Sequence, residues 1–410
     1  MASQVLKISL NTISIGLVLG GLFLLSACQQ GASGIAGQPA SGISGDSSQA
    51  GSGLRPLSAN VKGEKIGNGP VRVALLLPTG AQGAAGQIAG QLANAAKLAM
   101  RDFGANRIQV VLKDTKGRGA DAALAATEAR DEGASLIIGP LFSANVSAAS
   151  GVAQPSRIPM LALTSDVNRA RRGVYMMSFS PNNNISRTLN YGLTLGANNV
   201  IALLPNNAYG QLAERELRTT LDSGGGQVVS VVKYDRDEAS QIAAARSVVL
   251  SLPTANALFI PDGGAVPSTL LKAIRSGGGN LNGMQIMGSG QWESVNVNDP
   301  ALDRAYFAAA DKANFETFAQ RYQAVYGQRP ITNAALVYDA ISLTSELVRR
   351  NGQDPFSFRA IESTSGFSGA SGVFRFTSNG QVQRGLVINR IENKSVVTVS
   401  PAPSSFASRR

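Results

Sequence analysis

From residue 71 almost to the end of the chain, short apolar runs of strand character alternate with segments of helical periodicity, and the alternation starts over once. Strands that are apolar at nearly every position are buried on both faces, which a parallel sheet wrapped by helices provides. The first cycle predicts strands at 71–78, 108–114, 136–141 and 160–163, with helices at 120–132 and 144–154. A glycine-spaced turn after the first strand leads into a helix on which Ile88, Leu92, Ala95, Ala96, Ala99 and Phe103 share one face. The second cycle predicts a strand at 200–205, a helix at 210–221 stopped by Gly224, Gly225 and Gly226, and a strand at 228–234. A helix at 239–251, a strand at 257–262, a helix at 267–275 and a strand at 285–287 complete it. Helices at 312–326 and 331–350 and strands at 372–377 and 385–391 are too few and too mixed for a third domain, so the lobes share them. The expected fold class is α/β: two lobes, each a doubly wound parallel sheet, with a cleft lined by the carboxyl ends of strands.

With 410 residues the chain has room for two cores, since a single core stops growing at roughly 250–300 residues. It contains no histidine. That removes Ser-His-Asp and Cys-His nucleophiles, imidazole acid-base catalysis and nearly every zinc or non-haem iron site, so no catalytic residue, metal or cofactor is expected. The single cysteine excludes an internal disulfide. A formal charge of +11 favours anionic surroundings without choosing among them.

The first residues carry Lys7, an apolar run over 13–25 and then Leu25-Ser26-Ala27-Cys28. An apolar stretch this short that ends in small residues reads as a secretory signal rather than a membrane span. Leu-Ser-Ala-Cys resembles the lipobox of bacterial lipoproteins, which implies a signal peptide at 1–27, a lipid-bearing Cys28 and a membrane anchor. Gln29 stands where an Asp would be expected for inner-membrane retention, so the sorting pattern implies the outer membrane, facing the periplasm. Residues 28–66 are rich in Gly, Ser, Ala and Gln and are expected to form a flexible tether. Export implies that nucleic acid is not among the expected partners.

The order of the pieces resembles the type I periplasmic solute-binding fold of the leucine/isoleucine/valine-binding proteins, over about residues 70–395. Within it, the chain is similar to the lipoproteins called penicillin-binding protein activators through Val73-Ala74-Leu75-Leu76-Leu77-Pro78, Lys113-Asp114-Thr115, Ile138-Gly139-Pro140-Leu141-Phe142 and Asn207-Ala208-Tyr209-Gly210. The resemblance implies discontinuous lobes, 68–183 with 311–366 and 184–310 with 367–400, and 401–410 is expected to be a flexible tail. It implies that Ser143, Thr164 and Ser165 meet a ligand carboxylate and that Tyr209 faces it from the second lobe. Where the family has a Glu to pair the ammonium group, this chain reads Gly288-Ser289-Gly290-Gln291-Trp292, so Gln291 and Trp292 are the candidates there and Asp262 is the nearby acid able to substitute. Ala84 and Ala85 replace the usual aromatic residue of the first turn.

Gly80, Gly83, Gly86 and Gly90 allow either an anion at a helix start or close packing of a helix on the sheet, and both phosphate fingerprints are absent. Ser230 and Lys233 match S-x-x-K, but in an alternating strand positions three apart point to opposite faces, so no serine-lysine dyad forms. Arg169, Arg171 and Arg172 form a basic patch expected near the cleft mouth, suited to a carboxylate-rich partner or simply to solvent. The expectation is a non-catalytic periplasmic lipoprotein that binds and stimulates a peptidoglycan synthase of the penicillin-binding protein class. The alternative is a substrate-binding lipoprotein delivering a small polar solute, such as a branched-chain amino acid, to an ABC permease.

Overall fold

The structure, a computed structural model, describes residues 54–104 and 106–406. The expected signal peptide and Cys28 lie outside the described residues, as do 29–53 of the expected tether and the last four residues of the expected tail. The first lobe runs β1 (Glu64–Ile66), β2 (Val71–Leu77), α1 (Ala84–Ala99), β3 (Ile108–Asp114), α2 (Gly119–Asp131), β4 (Leu136–Ile138), α3 (Ser143–Ala153), β5 (Met160–Ala162) and β6 (Val174–Met176). The second runs α4 (Pro181–Thr194), β7 (Asn199–Pro205), α5 (Ala208–Gly224), β8 (Gln227–Tyr234), α6 (Glu238–Ser247), β9 (Ala257–Phe259), α7 (Val266–Ser276), β10 (Gln285–Met287) and β11 (Tyr306–Ala309). The chain then returns through α8 (Lys312–Tyr326), α9 (Ala334–Asn351), α10 (Phe358–Ile361), β12 (Phe367–Gly369), β13 (Gly372–Phe376) and β14 (Val382–Arg384), and ends in β15 (Val387–Glu392) and β16 (Ser395–Ser400).

The sheets are ordered β1-β3-β2-β4-β5-β6 and β16-β15-β11-β10-β9-β7-β8. Each contains five parallel strands in which the first lies between the second and the third, with antiparallel strands added at one edge. Such an order reverses direction between β2 and β4, and again between β7 and β9. The carboxyl ends at those switch points are where open α/β sheets leave a crevice.

Both faces of each sheet are buried, as the apolar runs require. Val73, Leu75 and Leu77 pack with α1 and α9, while Ala74 and Leu76 pack with α2 and α3. Ile201 and Leu203 face one helical layer of the second lobe, and Val200, Ala202 and Leu204 the other. Each fully buried leucine contributes about 1.5–3 kcal/mol of transfer free energy. The helix ends are locally encoded: Asn207 caps α5 by accepting from Gly210 N at 3.0 Å, and Gly225, at φ 74°, takes the left-handed conformation that closes it.

Three sequence expectations are corrected here. Residues 54–66 are not tether: β1 pairs antiparallel with β3, Ile66 packs against the first core, and the Lys62 backbone N–H and ammonium donate to Glu132 and Glu128. Residues 367–384 belong with the first lobe rather than the second, because Phe374, Phe376 and Val382 enter the core formed by α1, α9 and the first sheet. Only β15 and β16 join the second sheet. The expected tail is held as far as Phe406, whose N–H donates to Ser365 O and whose ring lies 4.7 Å from the Arg375 guanidinium.

The lobes are joined by three chain segments, after β6, after β11 and after β14. Arg384, fully buried on β14, ties the first and third of these together. Its Nε donates to Ser178 O at 2.7 Å and its Nη1 to Ser371 Oγ at 2.7 Å, between the rings of Phe179 and Phe374. The Ser371 hydroxyl in turn donates to Asp339 on α9, which also accepts from the Ala370 and Ser371 N–H groups. Arg384→Ala is expected to cost roughly 3–5 kcal/mol, because it leaves a buried carboxylate without its cation; urea unfolding followed by circular dichroism measures the loss.

Candidate functional site

At the carboxyl end of the first sheet, β4 ends at Ile138 and the chain turns through Gly139, at φ 92°, into α3, whose first residue is Ser143. Ser143 Oγ donates to Asp166 Oδ2 at 2.5 Å, and Arg169 Nε approaches both Ser143 Oγ at 3.0 Å and Asp166 Oδ2 at 3.2 Å. Asp166 Oδ1 accepts from the Asn168 backbone N–H and side-chain amide, and the Asp166 N–H donates to Thr164 Oγ1. The Ser143 hydroxyl, then Asn168 and Arg169, hold the Asp166 carboxyl below its ordinary value against the opposing effect of burial. Ser143, Thr164 and Arg169 are thus brought together, while Ser165 is exposed beside them. Asp166 is a member that the sequence reading missed, although it directly follows two of its candidates.

The second lobe assembles a different set. Tyr209, in the first turn of α5, shares a 2.8 Å hydrogen bond with Ser289 Oγ. Ser289 accepts the Gln291 N–H and gives its own proton to Pro261 O, so the single tyrosine proton goes to Ser289. This chain joins the turns after β7, β9 and β10. Burial pushes the Tyr209 phenol up to about 12, so it stays protonated. Tyr234 OH donates to Asp262 Oδ2 at 3.1 Å, and burial, then the Asp262 charge, drive its titration upward as well. Asp262 Oδ1 accepts from Gly263 N.

A cavity of about 460 Å³ opens at the ends of β7, β8 and β9, lined among others by Asn206, Asn207, Tyr234, Asp235, Arg236 and Asp262. Its size falls in the small-ligand range of roughly 300–1,000 Å³. Of the sequence candidates only Asp262 lines it. Gln291 is exposed on the next turn. Among the described residues, no hydrogen bond links the Ser143–Asp166 set to the Tyr209–Ser289 set.

Two placements differ from expectation. Trp292 is a core residue: it is 0% exposed, its Nε1 donates to Ile260 O at 2.7 Å, and its ring packs near Phe307. The helical turn over Gly290–Ser294 rotates the indole under the sheet end, where its N–H satisfies a buried carbonyl. The three arginines also do not form one patch at the cleft mouth. Arg169 reaches Ser143 at the start of α3, whereas Arg171 reaches Gln154 and Ser150 toward its far end. Arg172 forms a two-point pair with Glu362 and stacks on Phe358. The two therefore lie toward the opposite pole of the lobe.

Of the other motifs, Gly80 N–H donates to Asp114 at 3.0 Å, so the glycine-rich turn is tied to the neighbouring strand. Ser230 and Lys233 lie on β8, and Lys233 pairs with Glu214 at 3.0 Å.

The family model described as periplasmic binding protein matches residues 70–395. Among solved structures, a periplasmic ligand-binding protein of a branched-chain amino acid ABC transporter from Burkholderia xenovorans is similar at 20% identity and TM-score 0.60, over 81% of this chain and 96% of that one. An ABC transporter substrate-binding protein from Desulfitobacterium hafniense, in complex with leucine, is similar at 15% identity and TM-score 0.54, over 80% and 99%. A solute-binding protein of an ABC transporter from R. palustris, in complex with benzoate, is similar at 19% identity and TM-score 0.51, over 83% and 98%. A search among proteins of curated function found no match.

Trp292→Ala is expected to cost roughly 3–5 kcal/mol of stability, as a core truncation does. The folded parent's sole tryptophan should show blue-shifted emission that acrylamide barely quenches; strong quenching would return Trp292 to the cleft.

Proposed function

The chain belongs to the periplasmic binding protein family, and from that premise we propose that it binds a small polar solute at the carboxyl ends of its sheets, without transforming it, and presents it to an ABC permease. The observation that carries this reading is the polar cavity of about 460 Å³ at the switch point of the second sheet. The transporter proteins of similar fold from Burkholderia and Desulfitobacterium support the same reading. The residues assigned to the solute are Asp262, Tyr234, Asn206, Asn207 and Arg236, with Tyr209 and Ser289 holding the turns that carry them.

A second reading, stimulation of a penicillin-binding protein, has one observation in its favour. The Ser143 hydroxyl is already spent on Asp166, so the first lobe offers an amino acid less than the family resemblance implies. Under either reading we assign the protein to the periplasmic side of a membrane, the outer one by its sorting residue Gln29, with a lipid on Cys28 as its anchor.

A thermal-shift screen of the purified protein against amines, sugars, amides and amino acids tests the first reading. A true solute stabilises the folded state by about 2.7 kcal/mol at a hundredfold excess over Kd. If no solute shifts the melting temperature and the protein raises glycan polymerisation or cross-linking by a purified bifunctional penicillin-binding protein, the second reading replaces the first. Cys28→Ser is expected to abolish metabolic labelling with palmitate and to move the protein out of the detergent phase; unchanged partitioning would refute the anchor.

A further inference from the structure

A carboxylate already occupies the polar end of the first lobe, and it belongs to the chain itself. Helix α3 starts beside the switch point of the first sheet with Phe142 at its N-cap, a residue with no side-chain acceptor to offer the free N–H groups. Anions are favoured at such an end. Ser143 adds a hydroxyl donor there and Arg169 a guanidinium, and both converge on Asp166 Oδ2.

A plain capping role accounts for only half of this geometry. Asp166 Oδ1 caps the short turn Val167–Arg169 through Asn168 N at 3.1 Å, which is what an N-cap aspartate does locally. Oδ2 is not needed for that cap, yet it reaches a serine 23 positions back in the chain and a guanidinium at once. A hydroxyl and a guanidinium that converge on one carboxylate oxygen beside the start of a helix form a carboxylate receptor.

We propose that Asp166 is the resident occupant of this receptor and a specificity-determining residue, so that the solute taken in the cleft carries no carboxylate for the first lobe to hold. A zwitterionic amino acid or an aromatic acid would have to displace a tethered carboxylate whose effective concentration is far above that of a free ligand. The acceptable class is a neutral or cationic polar molecule held from the second lobe, where Asp262 and Asp235 line the cavity beside Arg236. This statement about the solute rests on the solute-binding reading; the occupancy of the receptor does not.

The test removes the resident carboxylate from the full chain and supplies a free one. Asp166→Ala is expected to lower the melting temperature by at least about 2–4 °C. Sodium acetate, compared with sodium chloride at equal ionic strength and pH 7, should then raise it saturably in the variant and leave the parent unmoved. An acetate response that is equal in both proteins, or absent from both, overturns the proposal. So does a response that survives in Ser143→Ala/Asp166→Ala. Asp166→Ser keeps the local cap and shortens the side chain, and it serves the same comparison if the alanine variant does not fold. Leucine and benzoate are then titrated by calorimetry. Binding at least about tenfold tighter to the variant than to the parent supports the specificity role. Acetate rescue without any gain for leucine or benzoate refutes that role and counts against the solute-binding reading, while leaving the occupancy established.

Discussion

One buried guanidinium fixes how the chain passes between its lobes. Arg384 holds the carbonyl of Ser178 on the first connecting segment and the hydroxyl of Ser371 beside the third, and through Ser371 it is joined to Asp339 on α9. A cation taken out of water costs several kcal/mol unless its donors are met. Here two carbonyl or hydroxyl oxygens, two aromatic faces and a nearby carboxylate offset that cost only when the small sheet formed by β12, β13 and β14 is docked on the first lobe. Asn183 donating to Val382 O and Arg187 donating to Leu386 O and Ser400 extend the connection along α4 into the second lobe. The connecting segments are thus cross-linked by hydrogen bonds between residues about 200 positions apart.

With the lobes placed in this way, the chemistry of each sheet end follows from which polar groups are already paired. In the second lobe Tyr209, Ser289 and Pro261 satisfy one another, and Trp292 satisfies Ile260, which makes the turns stiff. Tyr234 and Asp262 are paired too, but at the wall of a cavity, where the carboxylate still has acceptor capacity. In the first lobe the equivalent capacity is taken up within the chain by Asp166. Proteins of similar fold share the framework at only 15–20% identity over the matched chain. The ligand class is therefore a property of the lining residues rather than of the fold.

The two-lobed α/β architecture was legible in the sequence, because a strand buried on both faces must be apolar at almost every position. Residues 71–77 and 200–205 announce themselves for that reason. Elements whose order comes from distant partners were not legible. Helix α4 begins with a proline and three asparagines, and its buried face carries just two large apolar residues, Ile185 and Leu189, beside Thr188 and Gly192. Strand β1 has one apolar residue and exists because β3 offers it a free edge. β6 and β11 are too short to show a period.

Of the candidate site, the sequence by itself determined only that residues following apolar strands in a parallel sheet lie at one end of that sheet; the turn after β8, which brings Tyr234, Asp235 and Arg236 to the cavity, was not among its candidates. It also determined, through the lack of histidine and the single cysteine, which chemistries are closed to the chain. Only the tertiary structure decided which polar groups there are free. Ser143 and Asp166 are 23 residues apart, Tyr209 and Ser289 are 80 apart, and Trp292 and Ile260 are 32 apart. A hydrogen bond depends on a separation of about 3 Å and on direction, and neither is set by residue type or by spacing along the chain.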